Sequence, residues 1–244
     1  MKENFMDEYD QVVGMIRDKN KSPFSLSASR TGLLVVDMQR YFTQPSYPFI
    51  EVFNKLSPVA ASGYLRRVKE IVIPSIRRLL ECFRQAGGLI VFTAVGTESG
   101  DGRDLPCWLR SLDELGMATV GSRIWPPPND PSWQIDELLT PKPGEPLLSK
   151  FSAGAFATTG LEQRLHNLGI DSVVVTGVAT DVCVSTTARE AADRDFRAVI
   201  ASDACTALSE QLHQASLDSF NLAFGWVRTA DEVVRMVRDA PQRF

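Results

Sequence analysis

Histidine is nearly absent from the sequence, with only His166 and His213 among 244 residues. Both lie in segments of helical periodicity, LEQRLHNLG and SEQLHQAS, and both are therefore interpreted as structural histidines. Histidine is the usual general base for a cysteine or serine nucleophile and the commonest metal ligand. The sequence thus favours chemistry that depends neither on a histidine base nor on a histidine-rich metal centre.

Several function classes are excluded by what is missing. No apolar run approaches the roughly 18 residues of a membrane-spanning helix, and the polar N-terminus has no apolar signal core. The net charge is −4 without a basic stripe, so no nucleic-acid partner is expected. No phosphate-binding GxGxxG follows the first apolar strand, and no GxxxxGK[ST] occurs, so nucleotide binding is not expected. We expect no membrane partner and no cofactor.

Cysteine is sparse as well, and no CxxC pair occurs. The four residues are spread along the chain: Cys82, Cys107, Cys183 and Cys205. Such spacing indicates neither a disulfide framework nor a zinc site, and it predicts free thiols in a reducing, cytoplasmic compartment.

Short apolar runs alternate with longer helical patterns over most of the chain. GLLVVD, LIVFTAV, EPLLSK, SVVVTG, RAVIASDAC and an edge segment after Gly225 are interpreted as strands. This alternation predicts an α/β fold, a three-layer α/β/α arrangement around a mostly parallel, Rossmann-like central sheet of about six strands. At this length one large domain is expected.

The sequence also predicts the local structure of three further segments. Residues 1–30 are expected to form an N-terminal helical arm beside a main domain over 31–244. The segment Leu65–Gly88 predicts a helix kinked or bounded at Pro74. The Gly-, Pro- and Trp-rich passage Gly96–Glu145 predicts long loops with short helical turns, either over a pocket or as a surface excursion.

Three reactive side chains fall where predicted strands end. Asp37 follows LLVV, Lys150 ends PLLS, and Cys183 lies just past VVVTGVATDV. Each has a structural alternative: a turn cap, a solvated charge and a small apolar filler. Because ligands of parallel sheets bind beyond the carboxyl ends of the strands, their coincidence favours a site. There Asp37 takes the thiol proton, and Lys150 stabilises a Cys183 thiolate at a helix start.

Three motifs, LLVVDMQRYF, LSKFSAGAFATTGLEQRL and VTGVATDVCVSTTAREAADRDF, resemble those of isochorismatase-like cysteine hydrolases. The resemblance spans roughly residues 30–234 and includes the carbamoylsarcosine, ureidoacrylate and biuret hydrolases. It implies a catalytic triad of Asp37, Lys150 and Cys183. It also implies a cis peptide between Val178 and Ala179, and an oxyanion hole made by the N–H groups of Ala179 and Cys183.

Departures from relatives narrow the implied activity. Nicotinamidases in this superfamily carry a histidine-containing metal site downstream of the aspartate, where YFTQPSYPFIEVFNKLSPV has no histidine, so no metal is expected. Isochorismatases proper typically lack the cysteine that Cys183 supplies. Relatives often have serine where Gly154 stands.

The resemblance therefore implies a metal-independent cysteine hydrolase of a small linear amide, with an N-carbamoyl, ureido or biuret-like substrate, a thioester intermediate and ammonia release. Alternatives are a vinyl ether hydrolase of the isochorismatase type and a non-catalytic binding protein on the same fold. Relatives commonly form dimers or tetramers, so a homo-oligomer is expected. Candidate substrate-pocket residues are Phe42, Trp125, Phe151 and Arg123, each with a core or surface alternative.

Overall fold

A single parallel sheet organises the computed structural model, which describes residues 10–16 and 24–240. Its strand order is β3-β2-β1-β4-β5-β6, and all five neighbouring pairs run parallel. The strands are β1 (Thr31–Val36), β2 (Leu89–Val95), β3 (Leu147–Lys150), β4 (Ser172–Val178), β5 (Arg197–Thr206) and β6 (Trp226–Arg228). The predicted Rossmann-like sheet is confirmed.

Both faces of the sheet are covered, which explains why the central strands are continuously apolar. Every residue of β1 and β4 is buried. Successive side chains of a strand point to opposite faces. Accordingly, Leu33 and Val35 belong to one core cluster, whereas Leu34 and Val36 belong to the other.

Ten α-helices are present within the described residues. They are α1 (10–16), α2 (Arg40–Thr43), α3 (Pro48–Leu56), α4 (Pro58–Arg67), α5 (Ile73–Gln85), α6 (Cys107–Val120), α7 (Leu161–Asn167), α8 (Ser185–Ala192), α9 (Glu210–Ala223) and α10 (Ala230–Arg238). Helices α3–α6 and α10 contribute to one core cluster, and α7–α9 contribute to the other. Within the part of the chain that is described, no helix is long and apolar enough to cross a bilayer.

Two helical regions differ from the sequence prediction. The helix predicted from Leu65 begins earlier, at Pro58, and passes through a π-helical turn at Val68–Val72 into α5. Pro74 is the second residue of α5 and directly follows the π-helical turn, so it lies within a continuous helical segment and does not end it. The passage predicted as loops contains the 14-residue helix α6.

Two glycines explain why helix α6 was not predicted from the sequence. Gly116 lies in the middle of this helix, where a Cβ atom would come within 2.6 Å of the Ser122 carbonyl oxygen. Gly121 ends the helix with a φ of 74°. Both glycines allow the chain after α6 to pack closely against the helix. In the sequence, however, glycines at these positions are typical of loops.

The predicted N-terminal arm lies partly outside the described residues, namely at 1–9 and 17–23. Residues 10–16 are helical, and the stretch from 24 onward packs on the main domain. Leu26 is fully buried in the core, and the Phe24 ring lies 4.4 Å from that of Trp226. The boundary at residue 30 stays a prediction.

The sheet order reverses direction between β1 and β4. Chain connections leave β1 toward β2 and β3 on one side, and β4 leads toward β5 and β6 on the other. A crevice beyond the carboxyl ends of the strands at such a switch point is the general ligand-binding position of open α/β sheets. Asp37 follows β1 and Cys183 follows β4, so both lie at this position.

Candidate active site

Asp37, Lys150 and Cys183 come together at the carboxyl edge of the sheet. Lys150 Nζ lies 2.8 Å from Asp37 Oδ2 and 3.4 Å from Cys183 Sγ. The aspartate and the lysine are fully buried, and Cys183 is 7% exposed. The three residues predicted from separate strand ends therefore share one small buried cluster.

Lys150 reaches this cluster from β3, across the intervening strand β2. Its ammonium also donates hydrogen bonds to the carbonyl oxygens of Ser152 (2.7 Å) and Ala153 (3.0 Å). Burial acts to lower the pKa of Lys150, but the charges of Asp37 and Cys183 and their hydrogen bonds outweigh it and raise the pKa. The side chain is therefore a fixed cation at neutral pH.

Asp37 is oriented by the strand that separates it from Lys150. Thr93 of β2 donates a hydrogen bond from Oγ1 to Asp37 Oδ1 (2.7 Å), and the Asp37 N–H donates to the Thr93 carbonyl (3.1 Å). Asp37 has a φ of 52°, in the left-handed region that non-glycine residues rarely adopt. Sequence reasoning missed Thr93, because one threonine in the apolar run LIVFTAV resembles an ordinary strand residue.

Cys183 is held as a thiol at neutral pH. Burial raises its pKa to about 12, and the charge of Asp37 and a hydrogen bond to that carboxylate raise it as well, while Lys150 lowers it. The Lys150 ammonium acts in the predicted direction, toward the thiolate, but burial outweighs it in setting the pKa. The carboxylate beside the thiol is placed to accept its proton.

The turn that carries Cys183 follows β4 directly. The Val178–Ala179 peptide bond is cis. Ala179 precedes a π-helical turn, Thr180–Val184, which continues into α8. Gly177 has a φ of 111°, and a Cβ atom there would collide with the Val36 carbonyl oxygen of β1. Glycine at this position lets the end of β4 approach β1.

Two of the predicted pocket residues lie in an aromatic group beside the cluster. The rings of Phe42 and Trp125 have centroids 6.2 Å apart, and both pack against Tyr41 and Phe49. Tyr41 Oη donates a hydrogen bond to the Val95 carbonyl (2.9 Å), and Val95 pairs with Lys150 between β2 and β3, so this ring lies beside the cluster. Burial raises the pKa of Tyr41, and the charges of Asp37 and Cys183 raise it further. Phe151 directly follows Lys150 and is half-buried.

Arg123 is an exposed residue whose guanidinium already has a partner. Its Nη1 lies 3.1 Å from Asp113 Oδ2, and Asp113 Oδ1 accepts hydrogen bonds from the backbone N–H groups of Ile124 and Trp125. This arrangement fastens the loop after α6 to that helix. Its predicted role in recognising a substrate carboxylate stays a prediction.

Gln39 is a second residue that sequence reasoning missed. It is fully buried, donates from Nε2 to the carbonyls of Val95 (3.0 Å) and Trp133 (2.9 Å), and accepts at Oε1 from the Val95 N–H (2.8 Å). These bonds join the chain leaving β1 to the end of β2. The motif shows a glutamine at this position, but its three hydrogen-bond partners depend on tertiary contacts and could not be inferred.

Gly154, the departure from relatives, faces Glu190 of α8. A Cβ atom at Gly154 would overlap the Glu190 carboxylate, and Glu190 Oε2 accepts a hydrogen bond from the Phe156 N–H (3.0 Å). The Ala155 N–H donates to Thr187 Oγ1 (3.1 Å). Helix α8 thus holds the segment after Lys150, and the space of a serine side chain is taken by Glu190.

Neither histidine contacts Cys183. His166 stacks on Phe196 at 5.0 Å, and His213 bonds Thr180 and Arg67. Among the described residues, no group of three or more His, Cys, Asp or Glu side chains could hold a metal ion. Independence from metals stays a prediction.

The fold defines an α/β/α protein whose parallel sheet has a buried cysteine, lysine and aspartate at its carboxyl edge. The chain belongs to the isochorismatase family, whose domain model matches residues 31–232.

Curated relatives agree with this assignment. The ureidoacrylate amidohydrolase RutB of Stutzerimonas stutzeri is 29% identical over 234 residues, with 90% of this chain and 88% of that protein covered. The protein of the same name from Methylorubrum extorquens (strain AM1) is 32% identical over 220 residues, covering 84% and 82%. These relatives confirm the predicted enzyme class, an amidohydrolase, whereas ureidoacrylate is named for those proteins alone.

Solved structures confirm the fold. A cysteine hydrolase from Pseudomonas syringae pv. phaseolicola superposes with a TM-score of 0.74 at 23% identity, covering 90% of this chain and 97% of that one.

Proposed function

We propose that the protein hydrolyses the C–N bond of a small linear amide of the N-carbamoyl, ureido or biuret kind, through a thioester on Cys183 and with release of ammonia. The observation that carries the proposal is the buried contact of Lys150 Nζ with both Asp37 Oδ2 (2.8 Å) and Cys183 Sγ (3.4 Å). The similarity to ureidoacrylate amidohydrolases supports a ureido compound among these candidates.

In the first half of the reaction, Asp37 takes the proton of the Cys183 thiol while sulfur attacks the amide carbonyl carbon. The raised thiol pKa means that proton transfer accompanies attack, because little thiolate exists beforehand. The tetrahedral intermediate then breaks its C–N bond. The nitrogen takes the proton back from Asp37 and leaves as ammonia, and a thioester remains on Cys183.

Negative charge develops on the carbonyl oxygen and must be stabilised. We assign this role to the backbone N–H groups of Ala179 and Cys183, at the start of the helix that follows β4. Lys150 stays charged throughout, because its pKa is raised, and it offsets the charge passing between sulfur and carboxylate. The carbonyls of Ser152 and Ala153 keep the ammonium in place.

In the second half, Asp37 takes a proton from water, which adds to the thioester carbon. The C–S bond breaks, the sulfur regains a proton from Asp37, and the carboxylic or carbamic acid product leaves. One amide and one water thus give one acid and one ammonia. The nearby aromatic group, with Phe42 and Trp125, is the proposed wall of the substrate pocket.

Ammonia release by the purified protein tests this proposal. The panel comprises N-carbamoyl, ureido, biuret and maleamate compounds together with nicotinamide. We expect turnover of at least one linear amide, none of nicotinamide, and loss of turnover in Cys183→Ala. Cys82→Ala is the matched control, because Cys82 is a buried cysteine of α5 outside the cluster.

Three results would contradict the proposal. Wild-type ammonia release by Cys183→Ala would contradict the thioester. Cleavage of a vinyl ether by both wild type and Cys183→Ala, without ammonia release from any linear amide, would favour the isochorismatase type of hydrolysis, which needs no cysteine. Absence of turnover on every linear amide, with no Cys183 thiol reactivity, would favour a binding protein.

A further inference from the structure

A second polar cluster includes the first residue of the turn that carries Cys183. We call it the histidine cluster, and it consists of Arg67, Thr180 and His213. His213 Nδ1 lies 2.8 Å from Thr180 Oγ1, and His213 Nε2 lies 3.1 Å from Arg67 Nη2. Thr180 is fully buried and His213 is 3% exposed. These contacts join α4, the turn after β4 and α9.

The partners of His213 fix its protonation. A guanidinium has only N–H donors, so Arg67 donates and Nε2 must accept through its lone pair. The ring proton therefore resides on Nδ1, which donates to Thr180 Oγ1. Burial lowers the pKa of His213, the Arg67 charge lowers it further, and Glu210 opposes this shift. The neutral ring is a stable hydrogen-bond bridge at neutral pH.

Thr180 lies where a small displacement affects the reaction. It directly follows Ala179, begins the π-helical turn and precedes Cys183 by three residues. The proposed oxyanion donors are the N–H groups of Ala179, which directly precedes this turn, and of Cys183, which lies within it. A shift of about 1 Å in a group that contacts the reacting atoms can cost about 100-fold in rate. The bond from His213 restrains the first residue of this turn.

The polar chain continues to the surface, where Arg67 Nη1 lies 3.2 Å from Glu210 Oε2. Glu210 begins α9, the helix that carries His213, so the arginine joins two points of that helix to α4. An apolar side chain would fill the space of His213 without needing partners. The observed arrangement instead engages both ring nitrogens, which is the arrangement expected of a positioning group.

We propose that His213 is a positioning residue, which through Thr180 holds the Ala179–Cys183 turn in the geometry that stabilises the oxyanion. This inference rests on the proposed function for its oxyanion role. In this proposal, His213 contacts neither the substrate nor the sulfur of Cys183. Its loss should therefore impair reactions that form an oxyanion and spare reactions of the thiol that form none.

Two reagents separate these cases in the full-length protein. p-Nitrophenyl acetate acylates Cys183 through an oxyanion, whereas iodoacetamide alkylates it by displacement at carbon without one. We expect His213→Leu and Thr180→Val to lower the acylation rate about 10- to 100-fold. The alkylation rate should stay within about threefold of wild type, because the Asp37–Lys150–Cys183 contacts are intact.

Conservative variants provide the rescue. His213→Asn keeps an N–H donor near the position of Nδ1, and Thr180→Ser keeps the hydroxyl, so both should acylate within about threefold of wild type. If His213→Leu does not fold, the pair Thr180→Val and Thr180→Ser gives the answer alone, since valine is nearly isosteric with threonine.

Equal losses of acylation and alkylation would overturn the proposal, because they indicate general distortion of the site. Unchanged acylation in Thr180→Val would overturn it as well. Failure of the proposed function has a different signature. In that case the wild-type protein releases no ammonia from any amide, while the selective loss of acylation in Thr180→Val persists.

Discussion

Two buried polar clusters flank the same turn and differ in what their atoms are free to do. The first, the thiol cluster, consists of Asp37, Thr93, Lys150 and Cys183, and it holds two opposite charges 2.8 Å apart beside a protonated thiol. In the histidine cluster, both ring nitrogens of His213 are engaged and the imidazole is neutral.

This difference distinguishes a cluster that can transfer a proton from a cluster that can only position its neighbours. In the thiol cluster, a proton can move between sulfur and carboxylate beside a fixed cation. In the histidine cluster, any proton movement would break a hydrogen bond, so the ring can only hold its neighbours. Substitutions in the first cluster should change the reactivity of sulfur, and substitutions in the second should leave that reactivity nearly unchanged.

The largest effect is expected for Asp37→Asn. Turnover should fall by about 1,000-fold or more, because the general base is lost. Alkylation of Cys183 by iodoacetamide should instead become about tenfold faster at pH 7.5. The charge and the hydrogen bond that raise the thiol pKa disappear, while the Lys150 cation remains.

Opposite signs for turnover and alkylation distinguish this account from simple damage to the site. Asp136→Asn is the matched control, since Asp136 is a buried carboxylate outside both clusters. A parallel decrease of both rates in Asp37→Asn would show that the carboxylate does not raise the thiol pKa.

Lys150→Met should have the next largest effect, and it acts on stability as well. The substitution leaves Asp37 buried without its counter-charge, which costs about 3–5 kcal/mol in the free energy of unfolding. Turnover should fall about 100-fold, because charge on sulfur is no longer offset. Urea denaturation and ammonia release measure the two effects.

The exposed lysine Lys69 supplies the control, and Lys69→Met should change the free energy of unfolding by less than about 0.5 kcal/mol. Equal stability of the two variants would mean that the Lys150–Asp37 pair contributes nothing to folding.

The pH dependence of alkylation should reflect the raised pKa of the thiol. Only the thiolate reacts, so below a pKa of about 12 the wild-type rate should rise about tenfold per pH unit. The rate constant for Cys183, followed by mass spectrometry from pH 7 to pH 10, should show no plateau. A plateau below pH 8 would indicate a resting thiolate held by Lys150.

The smallest effect is expected in the histidine cluster, for Arg67→Met. His213 keeps its bond to Thr180 but loses the donor that fixes its tautomer, so turnover should fall less than about tenfold. Iodoacetamide alkylation should not change, because Arg67 touches no atom of the thiol cluster. A change in alkylation as large as that of Lys150→Met would remove the distinction between the two clusters.

Much of the fold was predictable because it depends on local patterns. The continuous apolar runs of β1 and β4 follow from burial on both sheet faces, and they can be recognised as buried strands in the sequence. Helix α6 was not predictable in this way. Gly116 and Gly121 serve close packing and termination there, and tertiary contacts supply the reason for them.

In the candidate site, too, features that depend on local sequence were predictable, and features that depend on tertiary contacts were not. Asp37, Lys150 and Cys183 were predictable as candidates because each follows or ends a strand, and parallel strands end at one edge. Their supporting partners were not, since the bond from Thr93 depends on side-chain orientation within β2. The bond from His213 to Thr180 likewise depends on how α9 packs, a contact between residues 33 positions apart.

The most direct test of covalent catalysis is to quench the protein with acid during turnover of an amide substrate and to weigh the peptide that contains Cys183. The account predicts an adduct on Cys183 with the mass of the substrate less ammonia, and its absence from Cys183→Ala. Steady turnover with an unmodified Cys183 peptide at every quench time, together with full activity of Cys183→Ala, would contradict it.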